Sequence, residues 1–287
     1  LDVLMGLLAA LCWGVTDFLA GFNTRNVGVQ RTVFFGQALG FLMVSLVVVA
    51  FPHIAQGALA APWAAWGSAL LAALFTVSGA LTLSRAFSVG QAAIVAPVVT
   101  SYGAVTALLS WLSGEHLGTL QGLGLGACLL GVALTAVTFG RPPQKNHAPR
   151  QALGFAILAA LLYGCSFWLQ GRYALPAMGV VPVLWVGYAV GLLSLTGALL
   201  RRPGQFSRPP LKYVGSLLAA SLMNLSAFSA FSVGALQGSV AVVTVLSTLS
   251  GGIAAILGVL LFKERLNPVQ WSGVGTVILG ALILHLH

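Results

Sequence analysis

Ala86-Phe87-Ser88-Val89-Gly90 returns as Ala230-Phe231-Ser232-Val233-Gly234, 144 positions later in a chain of 287 residues. That spacing is about half the chain, so the sequence reads as two copies of one unit. Around both copies the chain is almost wholly apolar: hydrophobic residues make up 59% and charged residues 6%. A soluble domain carries about a quarter charged residues around one apolar core. Here the polar surface is too small to face water, so the solvent is lipid. In lipid every backbone group must be satisfied inside a helix or a closed barrel. Barrel strands alternate apolar and polar over about ten residues, whereas these runs are continuous and close to the ~20 residues of a spanning helix. The chain is expected to be an all-α integral membrane protein.

Ten apolar runs can be drawn, at residues 3–22, 32–51, 66–86, 91–112, 120–139, 151–170, 180–200, 212–232, 238–262 and 268–286. Turn chemistry separates them at Asn23 to Gly28, Pro52 to Pro62, Gly114 to Gly118 and Arg172 to Pro182. The longest polar stretch, Arg141 to Arg150, reads as a linker. This divides the chain into a first five-helix repeat at 1–140, a linker at 141–150 and a second repeat at 151–287. Other matches extend the duplication. Ala9-Ala10-Leu11-Cys12-Trp13-Gly14 faces Ala159-Ala160-Leu161-Leu162-Tyr163-Gly164. Glu115, Gln121, Gly124, Gly126 and Gly131 match Glu264, Gln270, Gly273, Gly275 and Gly280 at a constant offset of 149. Five helices per copy is odd, so the second copy enters the membrane from the opposite side. The expected architecture is ten transmembrane helices in two inverted five-helix repeats around a central cavity.

Charge placement agrees with that count. The odd-numbered loops hold 12 of the 13 Lys and Arg residues, and Arg172 alone falls on the other side. By the positive-inside rule the linker is cytoplasmic, both termini face outward, and the protein is a multi-pass protein of the cell inner (plasma) membrane. The net charge of +9 is scattered singly between apolar runs, unlike the basic stripe of a nucleic-acid binder. Cys12, Cys128 and Cys165 all fall inside predicted helices, so no disulfide framework is implied. The first helix has no basic segment before it and reads as a retained span rather than a cleaved signal.

Few residues in these spans carry chemistry. Most glycines, such as Gly122, Gly124, Gly126 and Gly131, read as sites of close helix approach. Pro97 lacks an N–H and predicts a kink in the fourth run. The ninth run has Leu246 at the matching place but carries Ser247, Thr248, Ser250 and the pair Gly251-Gly252. Interrupted helices at equivalent places in two halves point to a midplane site, so Pro97, Gly251 and Gly252 are candidates for a kink or gate. Asp17 is the clearest intramembrane charge. Its carboxylate must face a cavity or proton path, as a coupling group, or pair with Arg25 or Arg31. Its repeat mate is Phe167, so either role is asymmetric. Arg85 reads as interfacial, its charge reaching headgroup phosphates.

Glu115 and Glu264 each precede a helix and read as capping groups. His53, His116, His147, His285 and His287 lie in loops or at the end of the tenth run, with no metal-ligand spacing. No catalytic constellation is visible, and no cofactor or metal is expected. Trp63, Trp66, Trp111, Trp185 and Trp271 lie near run ends, as interfacial belts do. Trp13 and Tyr163 are repeat mates at mid-helix, and Tyr102 lies just past Pro97. With Trp168 and Tyr188 as neighbours they could wall a pocket for an apolar or planar solute. Gln37, Asn224, Thr100, Ser101, Thr244 and Ser247 are mid-helix polar groups. The candidate binding set is therefore Trp13, Gln37, Tyr102, Tyr163, Trp168, Tyr188, Asn224 and Ser247.

Trp13-Gly14, the Pro97-Val98 helix ending in Gly114-Glu115, and Gln121 with its downstream glycines resemble the drug/metabolite transporter superfamily, in its ten-helix EamA branch. Tyr163-Gly164 and Lys263-Glu264-Arg265 repeat the pattern in the second half. The resemblance spans essentially the whole chain and implies a secondary transporter with inverted five-helix repeats around a cavity. It implies a small metabolite as solute, mostly an exported amino acid or related compound; sugars, drugs and lipid-linked groups are carried by some relatives. The scarcity of charge in the spans favours a neutral or zwitterionic solute. A lipid flippase or scramblase, or a channel, are the alternatives. Each half needs the other to close a cavity, so a monomer suffices.

Overall fold

A computed structural model of the chain describes residues 2–114, 118–135, 149–200, 209–238, 240–262 and 268–284. Linker residues 141–148, Glu115, Glu264, Lys263, Arg265 and four histidines (116, 147, 285 and 287) lie outside these residues, as do the side chains of Gln121 and Gln270, while residues 149 and 150 of the expected linker begin a helix. The described residues form helices α1 (Asp2–Val27), α2 (Val29–Ala50), α3 (His53–Leu59), α4 (Trp63–Val89), α5 (Ala92–Val99), α6 (Tyr102–Leu112) and α7 (Thr119–Thr135) in the first half. The second half has α8 (Pro149–Leu169), α9 (Leu175–Met178), α10 (Val180–Leu200), α11 (Val214–Gln237), α12 (Val240–Ser247), α13 (Ser250–Phe262) and α14 (Pro268–Leu284). A π-helical stretch at Gln170–Ala174 links α8 to α9, and a 3-10 turn at Leu211–Tyr213 leads into α11.

Among the described residues seven segments are long and apolar enough to cross a membrane: those of α1, α2, α4, α5–α6, α8–α9, α10 and α11. The other three expected runs, at α7, α12–α13 and α14, are also helical but shorter. Among the described residues most of the exposed large apolar side chains are leucine, while alanine is the commonest buried residue. Leu4, Leu7, Leu8 and Leu11 are exposed along one face of α1, while Ala9 and Ala10 are buried on the other. Lipid is as apolar as leucine and gives helices no reason to bury it, so association rests on close packing of small residues.

Several boundaries differ from those read in the sequence. Asn23 to Val27 continue α1 rather than forming a turn, and the break falls at Gly28, whose φ of 96° suits glycine. Tertiary hydrogen bonds hold the polar stretch in helix: Asn23 Nδ2 donates to the Ser216 carbonyl (3.3 Å), Ser216 Oγ donates to Asn23 Oδ1 (2.6 Å), and Tyr213 Oη donates to Asn26 Oδ1 (3.0 Å). Between Pro52 and Pro62 the chain inserts the short helix α3. Arg172 lies in the π-helical stretch rather than a turn, and the chain reverses at Gly179 instead.

The repeated pentapeptide is a packing device. Gly90 ends α4, but Gly234 lies inside α11, which runs on to Gln237. Phe87 and Phe231 are both fully buried. A Cβ at Gly90 would lie 2.5 Å from Ala152 at the start of α8, and one at Gly234 would lie 3.0 Å from Met5 at the start of α1. Each copy's glycine thus lets its helix meet the first helix of the other half. α4 packs along α8, α1 along α11, α2 along α10, and α7 along α14.

One end of the bundle is basic. Arg25 donates to the carbonyls of Phe87 (Nε, 3.4 Å) and Gly90 (Nη2, 3.0 Å), capping the C-terminus of α4. Arg31 and Arg85 share one shallow cleft beside it. Lys212 lies over the ring of Tyr213, which bonds Asn26 of α1.

Candidate functional site

Two helices break where the halves meet. Pro97 has no N–H for the ladder, and α5 stops two residues later; Thr100 Oγ1 and Ser101 Oγ turn back onto the Pro97 and Val98 carbonyls (both 2.8 Å). No proline marks the second break. There α12 ends at Ser247, whose hydroxyl donates to the Thr244 carbonyl (2.6 Å), and α13 restarts at Ser250. The breaks face each other. A Cβ on Gly251 would lie 2.6 Å from Thr100 Oγ1, so glycine alone lets α13 settle onto the gap between α5 and α6. Tyr102 Oη, at the start of α6, shares a 2.9 Å hydrogen bond with Ser247 Oγ, at the end of α12.

The repeat-mate motifs Trp13-Gly14 and Tyr163-Gly164 sit against these breaks. A Cβ at Gly14 would lie 2.6 Å from Ile253 in α13, and one at Gly164 would lie 2.5 Å from Val105 in α6. The glycine brings each restarted half-helix close, and the preceding aromatic is thereby held at the level of the break. Val99 and Ser250, one from each break, line a central cavity of about 160 Å³.

The cavity is walled by α1, α2, α4, α8, α10 and α11 together with the two breaks. Trp13, Asp17, Gln37, Tyr102, Tyr163, Tyr188 and Asn224 all line it. Asn224 ties three of its walls. Its Oδ1 accepts from Trp13 Nε1 (3.2 Å) and its Nδ2 donates to Tyr188 Oη (3.3 Å), joining α1, α11 and α10. The remaining candidates lie elsewhere. Ser247 stands behind Tyr102, outside the lining, and Pro97, Gly251 and Gly252 form the breaks rather than the wall. Trp168 faces away from the cavity. Its ring meets Tyr173 edge-on at 5.5 Å, and among the described residues its buried Nε1 has no hydrogen-bond partner.

Phe167, its neighbour, takes the place expected of Trp168. Its ring lies 4.7 Å from Phe231, 5.0 Å from Tyr102, 5.4 Å from Trp13, 6.1 Å from Phe228 and 6.2 Å from Tyr163. These rings form an aromatic layer, and all but that of Phe231 lie in the cavity wall. From Trp13 the lining runs down α1 to Asn23, about 15 Å at 1.5 Å per residue, and meets Thr32 and Ser84 near the basic end. A polar cluster that the sequence did not suggest closes the wall between α4 and α8. Ser166 Oγ is bonded to Thr76 Oγ1 (2.6 Å), the Ala72 carbonyl (2.8 Å) and Gln170 Nε2 (2.8 Å). Gln170 opens the π-helical stretch, a form of helix that often marks functional positions.

Asp17 is buried, at 9% exposure, one turn past Trp13 on the cavity face of α1. Among the described residues it accepts no hydrogen bond and pairs with no cation. The expected partner Arg25 is engaged by the end of α4 instead. Among the described residues no group of His, Cys, Asp and Glu is placed to hold a metal ion.

A multi-pass helical membrane protein with a mixed polar and aromatic cavity between its halves has the build of a solute transporter. The chain belongs to the EamA-like transporter family, whose model matches residues 1–137 and again 150–286. It is thus a membrane transporter of the drug/metabolite type, and the family model matches it twice, once in each half. A solved crystal structure is similar at a TM-score of 0.66 and 18% identity, over 98% of this chain and 95% of that one, a likeness of fold. No curated protein matches significantly in sequence.

Proposed function

We propose that this protein is a secondary transporter that exports a small neutral or zwitterionic metabolite, an amino acid or related compound, across the inner (plasma) membrane by alternating access. The observation that carries this reading is the cavity set between two broken helices, one from each half. Broken helices in matching positions of two repeats leave unpaired backbone groups at mid-membrane, where they orient a solute. Trp13, Tyr102, Tyr163 and Tyr188 supply flat apolar walls, and Asn224 and Gln37 supply hydrogen bonds. Pro97 and the Gly251-Gly252 pair are the hinges.

The domain division at 1–140, 141–150 and 151–287 and the inverted ten-helix arrangement belong to the same proposal. Contacts at helix ends support the inversion. Arg25, near the end of α1, reaches the end of α4 at Gly90, and Gly90 meets Ala152 at the start of α8. The mates α1 and α8 therefore run in opposite senses. Taking the basic end as cytoplasmic, the lining at Asn23, Thr32 and Ser84 lies toward the inside, and the aromatic layer at Phe167 is assigned as the outer gate. Rocking one half about the paired breaks would exchange the open end, and one chain holds every part this needs.

Asp17 is the candidate coupling group. If a proton is exchanged there, uptake into proteoliposomes responds to an imposed pH gradient in the wild type, whereas whatever uptake Asp17→Asn retains does not. Equal pH dependence in the two proteins would remove the coupling role.

A further inference from the structure

We infer that the solute is recognised through a protonated amine, seated on Asp17 with its apolar or aromatic body against Tyr163, Tyr102 and Trp13. This rests on the transporter reading above and departs from its solute class in one respect, since an amine without a carboxyl group is a cation rather than a neutral or zwitterionic solute.

The first argument is charge. Among the described residues Asp17 is the one acidic residue lining the cavity, and none of those lining it is basic. The polar groups beside it, such as Thr16, Asn23 and Asn224, are neutral. Thr16 Oγ1 is bonded to the Cys12 carbonyl (2.8 Å), and Asn23 is engaged by Ser216. Buried carboxylates in membrane spans are costly and are found paired. Among the described residues this one is unpaired, so a cationic group of the solute completes the pair.

The second argument is shape. Tyr102 and Tyr163 line the same cavity as the Asp17 carboxylate, and their rings meet edge-on with centroids 6.4 Å apart. Trp13, one helical turn from Asp17, is 6.4 Å from Tyr102. Aromatic faces beside a carboxylate attract an ammonium group through the ring quadrupole and cover the carbon skeleton attached to it. The third argument is what the cavity lacks. A carboxylate on the solute would meet no basic residue in the lining and would be repelled by Asp17. An amino acid supplies the required ammonium group, and the amine without a carboxyl group supplies it with no such penalty.

The test is direct binding to the purified full chain in lipid nanodiscs at fixed pH, with four probes of one skeleton. They are 2-phenylethylamine, phenylalanine, 2-phenylethanol and 3-phenylpropionate, the cation, zwitterion, neutral and anion forms. The amine should bind tightest, phenylalanine next, and the alcohol and acid at least roughly tenfold more weakly than the amine, as loss of a charged hydrogen bond implies. Asp17→Asn should bring amine and alcohol to equal affinity while Trp13, Tyr102 and Tyr163 keep the weak affinity for the ring. Because this variant could fail to fold, the wild-type series decides alone. Alcohol or acid binding as tightly as the amine, or no binding by the amine, overturns the inference. Saturable counterflow of a solute without an amine would overturn it and leave the transporter reading standing. Absence of saturable transport for any solute would remove that reading itself.

Discussion

Asn224 is the residue through which the cavity is most directly testable. It accepts from Trp13 and donates to Tyr188, so it fixes two aromatic walls and keeps a second N–H for a solute. Asn224→Leu leaves both partners unpaired. Hydrogen bonds between membrane helices are worth about 1 kcal/mol or less, so a small drop in thermal stability is expected. Transport should fall far more, by roughly tenfold, because a positioned donor is lost. Measuring melting temperature and uptake on the same preparation separates the two effects, and equal uptake in variant and wild type would contradict the role. The second prediction at this scale is the Asp17→Asn comparison under a pH gradient. Residue roles were only partly legible in the sequence. Trp13, Tyr163 and Asn224 stood out as large or polar groups at mid-helix. Phe167 did not, because it is one apolar residue in a helix apolar on every side. Phe167 and Trp168 differ by about 100° around α8, and a helix without a polar face gives no signal of which one points inward.

At the scale of elements, the proposed mechanism places its moving parts at the paired breaks and the glycines that receive them. The break after Pro97 was readable from a missing N–H. The second break was readable only as a cluster of Ser, Thr and Gly, and its position follows from packing against Thr100. Pro97→Ala restores the N–H and allows α5 to run on into α6. Expression should be unchanged and the transport rate should fall, since a stiffened hinge slows the exchange between states. Undiminished turnover in this variant would rule out a hinge at that position. Gly14→Leu and Gly164→Leu place a side chain into Ile253 and Val105, and overpacking of this kind costs about 1–3 kcal/mol or more. Gly67→Leu, where a Cβ would meet nothing within 4 Å, is the control. Folded yield by size-exclusion chromatography should drop for the first two and hold for the third. The end of α1 was misread as a turn for the opposite reason: Asn23 and Asn26 look like loop residues in isolation, and their partners Ser216 and Tyr213 lie in the other half of the chain.

For the whole molecule, composition and the duplicated pentapeptide were enough to read membrane helices in two copies, because lipid leaves few alternatives. They did not reveal that α7 and α14 pack on each other away from the cavity, since neither sequence marks a cavity-facing side. Orientation follows from the basic end. Cysteine introduced at Ser88, in the last turn of α4, should be labelled by an impermeant reagent only from the cytoplasmic side, and cysteine at Tyr173 only from outside. The reverse pattern would invert the proposed topology.

Counterflow in proteoliposomes tests the central claim most directly. Vesicles loaded with unlabelled solute from an amine and amino-acid panel are diluted into trace labelled solute, and accumulation is followed beside a lipid-scrambling assay on the same vesicles. A transporter that alternates access around this cavity gives saturable, transient accumulation that Asn224→Leu diminishes, without scrambling. Flux that rises linearly with concentration, or lipid movement without solute exchange, would contradict the account.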